Sequence, residues 1–493
     1  MGQLMVSFRG LFPPEWVLDG VTEGRIAAIC LFAYNVASPA QLRELTDSLH
    51  EAARRGRVPP PLIGIDQEGG QLMAVTGGTT ELPGNMALGA TRSPELAEKA
   101  GRLLGLELLA LGCNMNFAPV LDLAGHLESA VVGTRAFGDE PGRVAELGAA
   151  LIRGMQSTGV VATAKHFPGH GDTALDSHHL APVVARKREQ LSSAELVPFR
   201  AAIAAGVGAV MGAHVRYPHL DDRPATLSKA VMSDLLRTEL GFEGLAVTDA
   251  MDMAAVADGP AELRAREALD AGADLVMLGH LPDQAELLRA LEPHYRRASL
   301  ERIAGARRRL PRDLPRLESI GNGRGLAQEI ADRAVTLVRG SGQLPLRLEP
   351  EERLGLILPR VGDLTPADSS SRVELRLPEQ LRARHPNLEV VEDGNGPFAL
   401  TACGAVIVAT SNAVSDDDQR EVVEKLSQSG VDLIHLVVRS PADALITPPH
   451  VPCVCTYGIR AANTEAAVRV LFGEMEPTGV LPVRLPERKA SIA

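Results

Sequence analysis

At 493 residues the chain exceeds what a single hydrophobic core ordinarily supports, so two unequal domains are expected. Apolar residues make up 45% and charged residues 23%, which excludes a disordered or fibrous chain, and 3% aromatics leaves Ala, Leu, Val and Gly to fill the interior. A formal net charge of -12 disfavours nucleic-acid and membrane partners, because phosphate surfaces repel it, and points to a neutral or locally recognised small molecule.

The opening segment MGQLMVSFRGLFPPEW has neither a basic start nor an apolar stretch of signal type, and no apolar run approaches the roughly 18 residues of a membrane span, so a cytoplasmic protein is expected. From there to about residue 310, short apolar runs alternate with longer stretches of helical periodicity. Eight strands are predicted at Leu4–Phe8, Ile26–Phe32, Leu62–Asp66, Met115–Leu121, Val160–His166, Ala209–His214, Leu245–Asp249 and Leu275–Leu278, most of them rich in branched apolar side chains. Between them, SPAQLRELTDSLHEAARRG, SPELAEKAGRLLGLELLALG and EPGRVAELGAALIRGMQSTG each begin with a Ser or an acidic-Pro pair and end in Gly, the punctuation of helices. Eight such units predict an α/β fold, a (β/α)8 barrel with its active site at the C-terminal ends of the strands.

The barrel domain is expected over residues 1–312 and a connection over 313–325, where RRRLPRDLPRLESIGNGRG loses the alternation. A smaller α/β sandwich is expected over 326–493, built on GAVIVATSN, VDLIHLVVRS and VPCVCTYG. No GxGxxG or GxxxxGK[ST] follows a strand, so nucleotide phosphates have no cradle. The five cysteines, Cys30, Cys113, Cys403, Cys453 and Cys455, are sparse and odd in number, which argues against a disulfide framework.

Polar clusters fall at or just after the predicted strand ends: Asp66 to Gly70, Asp122, Lys165 to His178, His214 and Asp249. Any one Asp at a strand end is ordinarily a cap or turn residue, and Asp252 is read that way; convergence on one barrel face is what favours chemistry. The loop KHFPGHGDTALDSHH is densest. Its glycines let the chain fold back, and Asp176 and His178, one residue apart, can pair so that the carboxylate orients the ring as an acid or base. Asp249, straight after an apolar strand, suits a nucleophile facing the barrel axis, whereas His170, Asp172 and His179 are read as loop structure.

In this order, IDQEGG, NFAPVLDL, GTRAFGDE, KHFPGHGDTALDSH, PATLS and GFEGLAVTDAMDM resemble family-3 glycoside hydrolases, and KHFPGHGDT followed by DSH resembles the branch of bacterial β-N-acetylglucosaminidases. The resemblance implies a retaining β-N-acetylhexosaminidase acting on peptidoglycan- or chitin-derived fragments. It implies Asp249 as nucleophile, His178 with Asp176 as an acid/base dyad, and Asp66, Arg135, Lys165 and His166 as sugar contacts, with no metal or organic cofactor. In the usual retaining pair a second carboxyl does the work assigned here to an imidazole, which near neutrality can both give and take a proton. The chain departs from the family after IDQEGG, where Gln71 and Ala74 stand in place of arginines. Three other readings remain: a phosphorylase or β-glucosidase of the same family, a barrel hydrolase holding a divalent metal on His166, His170, Asp172, His178 and His179, and a sugar-binding protein without catalysis. Against the metal, Pro168 and Gly169 break the helix that a His-x-x-x-His ligand pair needs.

Overall fold

A computed structural model describes residues 2–127, 129–173, 182–311, 313–366, 368–392 and 397–486. Its first sheet has eight strands: β1 (Leu4–Val6), β2 (Ala28–Leu31), β3 (Leu62–Ile65), β4 (Met115–Asn116), β5 (Val161–Phe167), β6 (Ala209–Gly212), β7 (Leu245–Thr248) and β8 (Val276–Met277). They run β7-β6-β5-β4-β3-β2-β1-β8, each parallel to its neighbours, and a parallel bridge between Val247 and Leu275 joins the two ends into a barrel. All eight predicted strands are present, most of them shorter than expected. The largest difference is in Met115–Leu121, where pairing stops at Asn116 and returns only as a bridge from Val120 to Lys165, because Pro119 has no N–H for a ladder.

Strands covered on both faces bury every residue, and β2, β3, β6 and β7 do so. Met5, Met115, Phe117, Met211 and Met277 fill the barrel interior with others of their cluster. Phe117 needs Gly64 opposite it, since a Cβ there would meet the ring edge at 2.4 Å. The barrel is therefore a packed core whose chemistry is confined to its rim. Around it lie α1 (Pro39–Gly56), α2 (Asn85–Thr91), α3 (Pro94–Ala110) and α4 (Pro141–Gln156) among others. The predicted start signals operate: Ser38 accepts from the Gln41 N–H, Ser93 from the Leu96 N–H, and Glu140 from the N–H groups of Gly142 and Arg143, each with Pro at the first helical turn.

The second sheet contains β9 (Thr336–Arg339), β10 (Leu354–Leu358), β11 (Leu388–Glu392), β12 (Ala405–Thr410), β13 (Asp432–Val437) and β14 (Cys453–Cys455), ordered β9-β14-β13-β12-β10-β11 with only β9 antiparallel. The expected connection at 313–325 is irregular up to α5 (Arg324–Ala334), which packs against α2 of the barrel and against α6 (Ala461–Leu471). One apolar cluster runs from the barrel through Ala327, Ile330 and Tyr457 to Val483. Past α6 the chain returns to the barrel: the Val480 N–H donates to the Ala90 carbonyl at 3.0 Å, and the Pro482 carbonyl accepts from Asp139 at 3.2 Å. All five cysteines are free and buried, and among the described residues no helix is long and apolar enough to cross a membrane.

Candidate active site

Asp66, Arg135, Lys165, His166 and Asp249, five of the seven residues singled out in the sequence, line a single cleft of about 480 Å³ at the C-terminal ends of the strands. Asp176 and His178, the other two, lie outside the described residues.

Lys165, near the end of β5, forms ion pairs with Asp66 (2.6 Å) and Glu68 (2.7 Å). Glu68 in turn takes a two-pronged contact from Arg135, with Nε to Oε2 at 2.9 Å and Nη2 to Oε1 at 2.8 Å. Burial alone would raise the Glu68 carboxyl, but the Arg135 and Lys165 cations overcome it and hold the group down to about 2. Burial would lower the Lys165 ammonium, but the carboxylates of Asp66 and then Glu68 raise it, and Glu68 likewise raises Arg135 against its burial, so all three groups stay charged. In the sequence Glu68 stands out only as part of the IDQEGG motif. Its signal is the spacing of two from Asp66, which brings both carboxylates to the one lysine.

The His166 ring is fixed from behind. Its Nδ1 donates to Asp122 Oδ2 at 2.6 Å, while Asp122 Oδ1 accepts from the backbone N–H groups of His166 (3.2 Å) and His170 (2.6 Å). Burial raises Asp122, yet His166 and these amides keep it below the usual carboxylate range, so it is a permanent anchor. That orientation turns His166 Nε2 toward Asp249, with Oδ2 at 4.0 Å. Asp249 Oδ1 accepts from the Ala250 N–H at 2.8 Å. The next carbonyl, that of Ala250, accepts from His214 Nε2 at 3.0 Å, and His214 Nδ1 meets the Thr226 hydroxyl at 2.6 Å. His214 therefore positions the backbone beside Asp249 and does not line the cleft.

Two readings are corrected. Asp252 caps no helix, since the short 3-10 helix that follows, Ala254–Val256, is capped by Met253; it lines the cleft and pairs with His280 Nδ1 at 2.7 Å. His170 also lines the cleft, and burial lowers its imidazole to about 4, so it is neutral at ordinary pH. Asp172 remains a loop element, joined by a two-pronged contact to Arg186. Among the described residues no group of three or more His, Cys, Asp or Glu is arranged to hold a metal ion.

The second sheet's domain contributes a wall that was not anticipated: Asp363, Pro366, Asp368, Ser369 and Arg372 reach the cleft. Ser369 is tied to the Asp66 loop, its hydroxyl donating to the Gln71 carbonyl (3.0 Å) and accepting from the Met73 N–H (3.0 Å). Arg460, fully buried, donates from Nε to the Gly70 carbonyl at 2.9 Å. Gln71, found where the resemblance expects an arginine, accepts at Oε1 from the Thr134 hydroxyl at 3.1 Å. The arrangement supplies charged donors and acceptors for hydroxyls on one side of a carboxylate held at the barrel rim.

Residues 6–303 match the glycosyl hydrolase family 3 N-terminal domain. A beta-hexosaminidase of Nitrosomonas eutropha is 41% identical over 300 residues, which are 59% of this chain and 85% of that protein. The solved family 3 beta-N-acetylglucosaminidase of Paenibacillus sp. str. FPU-7 is 34% identical with a TM-score of 0.90, covering 98% of this chain and 97% of its own. NagZ of Neisseria gonorrhoeae, solved with N-trifluoroacetyl-D-glucosamine, is 30% identical with a TM-score of 0.59 and covers 67% of this chain and 98% of its own.

Proposed function

The chain belongs to glycosyl hydrolase family 3, and from that premise we propose that it is a retaining β-N-acetylhexosaminidase that removes terminal β-linked N-acetylglucosamine from small carbohydrates. The observation that carries the reading is the joint placement of Asp249 and the Asp66, Arg135, Lys165 and His166 group in one cleft. Asp66, Lys165 and the fixed His166 ring take the hydroxyls of the terminal sugar, presenting its anomeric carbon to Asp249. The Asp249 carboxylate attacks that carbon while the glycosidic oxygen leaves with a proton from His178, whose ring Asp176 orients. Water, deprotonated by His178, then releases the sugar and restores Asp249. No step calls for a metal or cofactor. The five free, buried cysteines support a reducing compartment, the cytoplasm, where fragments of peptidoglycan or chitin would be the substrates.

The test is a panel of aryl β-glycosides with and without added phosphate. Faster cleavage of the N-acetylglucosaminide than of the glucoside, with free sugar as product, is expected; a preference for glucose, or a sugar 1-phosphate product, overturns the reading. Asp249→Asn should fold with an unchanged thermal midpoint and lose at least about a thousandfold in kcat, since a neutral amide cannot form the glycosyl-enzyme. Turnover close to wild type would remove Asp249 from the role of nucleophile.

A further inference from the structure

From β3 to β5 the barrel rim forms a charged arc, Asp66, Glu68, Arg135 and Lys165, and the loop that carries Asp176 and His178 springs from its β5 end. Residues 174–181 of that loop lie outside the described residues, but both of its arms are described, and one short strand, Arg216–Tyr217, grips them both. On the outgoing arm, the hydroxyl of the fully buried Tyr217 donates to the Gly169 carbonyl at 2.6 Å. On the returning arm, the Arg216 carbonyl accepts from the Val184 N–H and the Arg216 N–H donates to the Pro182 carbonyl, both at 2.9 Å. The outgoing arm is also packed hard on its surroundings. A Cβ at Gly169 would meet the Glu195 Cβ at 2.7 Å, and one at Gly171 would meet the Leu123 carbonyl oxygen at 1.7 Å.

One side chain runs from arm to arm. Arg186, on the returning side, reaches back 14 positions to Asp172, with Nε to Oδ2 at 2.7 Å and Nη2 to Oδ1 at 3.0 Å. The same Nε lies 3.1 Å from Oε1 of Glu195, a buried carboxylate with no other ion pair among the described residues. The Arg186 and Asp172 side chains are 32% and 26% exposed, and pairs so open to water add little to stability. Their value is geometric, because a two-pronged guanidinium–carboxylate contact fixes both the distance and the orientation of the groups that make it.

We infer that Arg186 and Asp172 are positioning residues for proton transfer: by tying the outgoing arm to the returning one they set the two points from which the loop springs, and so the reach of His178 toward the glycosidic oxygen. Neither touches the substrate. The inference rests on the hexosaminidase reading, with His178 as its acid. It separates two tasks at the rim, since the charged arc holds the sugar while the Arg186–Asp172 contact governs delivery of the proton.

The experiment compares two β-N-acetylglucosaminides: the dinitrophenyl glycoside, whose leaving group departs without a proton, and the methyl glycoside, whose leaving group needs one. Asp172→Ala, which leaves Glu195 its cation, should lower kcat/KM for the methyl glycoside roughly tenfold to a hundredfold and for the dinitrophenyl glycoside less than about twofold. Asp172→Asn, which keeps one acceptor for Arg186, should fall between Asp172→Ala and wild type, and it carries the comparison should Asp172→Ala not fold. Arg186→Gln should show the same selective loss, and the double variant should be no worse than the single ones, because the contact can be lost only once. Equal proportional losses on both substrates, or no loss on either, overturn the positioning role while leaving the hexosaminidase reading standing. Wild-type protein inactive on both substrates overturns that reading, and the positioning role with it.

Discussion

Glu68→Gln removes one charge and almost no volume from the centre of the charged arc. In the native protein Glu68 satisfies Arg135 through two contacts and Lys165 through one, all of them buried. Its carboxyl is held down to about 2 from a usual 4.5, a difference worth roughly 3 kcal/mol of folding free energy at neutral pH. Breaking a buried ion pair from one side costs about 3–5 kcal/mol by mutational precedent, so the two routes agree. The sign follows from the depressed value: the contribution is complete above pH 4.5 and disappears as the pH falls through about 2. Chemical denaturation at pH 7 should therefore find Glu68→Gln less stable by about 3 kcal/mol, and the gap should narrow between pH 4.5 and 2. Because Arg135 and Lys165 lose a common anchor, KM should rise more steeply than kcat falls. A variant within about 0.5 kcal/mol of wild type at pH 7 would show that Glu68 does not organise the arc.

His170 gives a second pH signature. Its imidazole is lowered to about 4 by burial, so between pH 6.5 and 4 the unfolded chain takes up a proton that the native protein refuses. Stability should fall across that window by up to about 3 kcal/mol, and His170→Asn should lose this component; parallel stability curves for the two proteins would refute the assignment. Ser369→Ala strips the Met73 N–H of its acceptor across the interface between the two sheets' domains and should cost about 1–3 kcal/mol. It should also raise KM several-fold through the loosened Asp66 loop, and unchanged KM would mean that the second domain covers the cleft without organising it.

The barrel could be read from the chain because its information is local. Each strand is a short apolar run, and Ser38, Ser93 and Glu140 announce their helices within three residues. The clustering of Asp66, Lys165, His166 and Asp249 followed from one topological rule, that the ends of parallel barrel strands face the same way. Met115–Leu121 was misjudged in length because apolar content masked Pro119, which ends a ladder however apolar its neighbours are. Asp252 was misjudged because an Asp three residues past a strand end ordinarily starts a helix. Here the short helix that follows, Ala254–Val256, takes Met253 as its cap, and the partner that gives Asp252 its place, His280, is 28 residues away.

What stayed hidden has one physical character: it depends on pairs whose members carry no mutual mark in the chain. Ser369 and Met73 are 296 residues apart, and Arg460 and Gly70 are 390 apart. Each bond joins a side chain in an unremarkable loop or helix start to a backbone group, the Met73 N–H in one and the Gly70 carbonyl in the other, and every residue offers a carbonyl and all but proline an N–H. No residue type at either end could have flagged it. The consequence reaches the chemistry. The loop that presents Asp66 and Glu68 is held by the barrel on one side and by Ser369 and Arg460 on the other, so the geometry of the charged arc is a joint product of both domains. The departure at Gln71 is consistent with that division of labour, because its carbonyl and side chain are spent on Ser369 and Thr134, binding the loop to its surroundings.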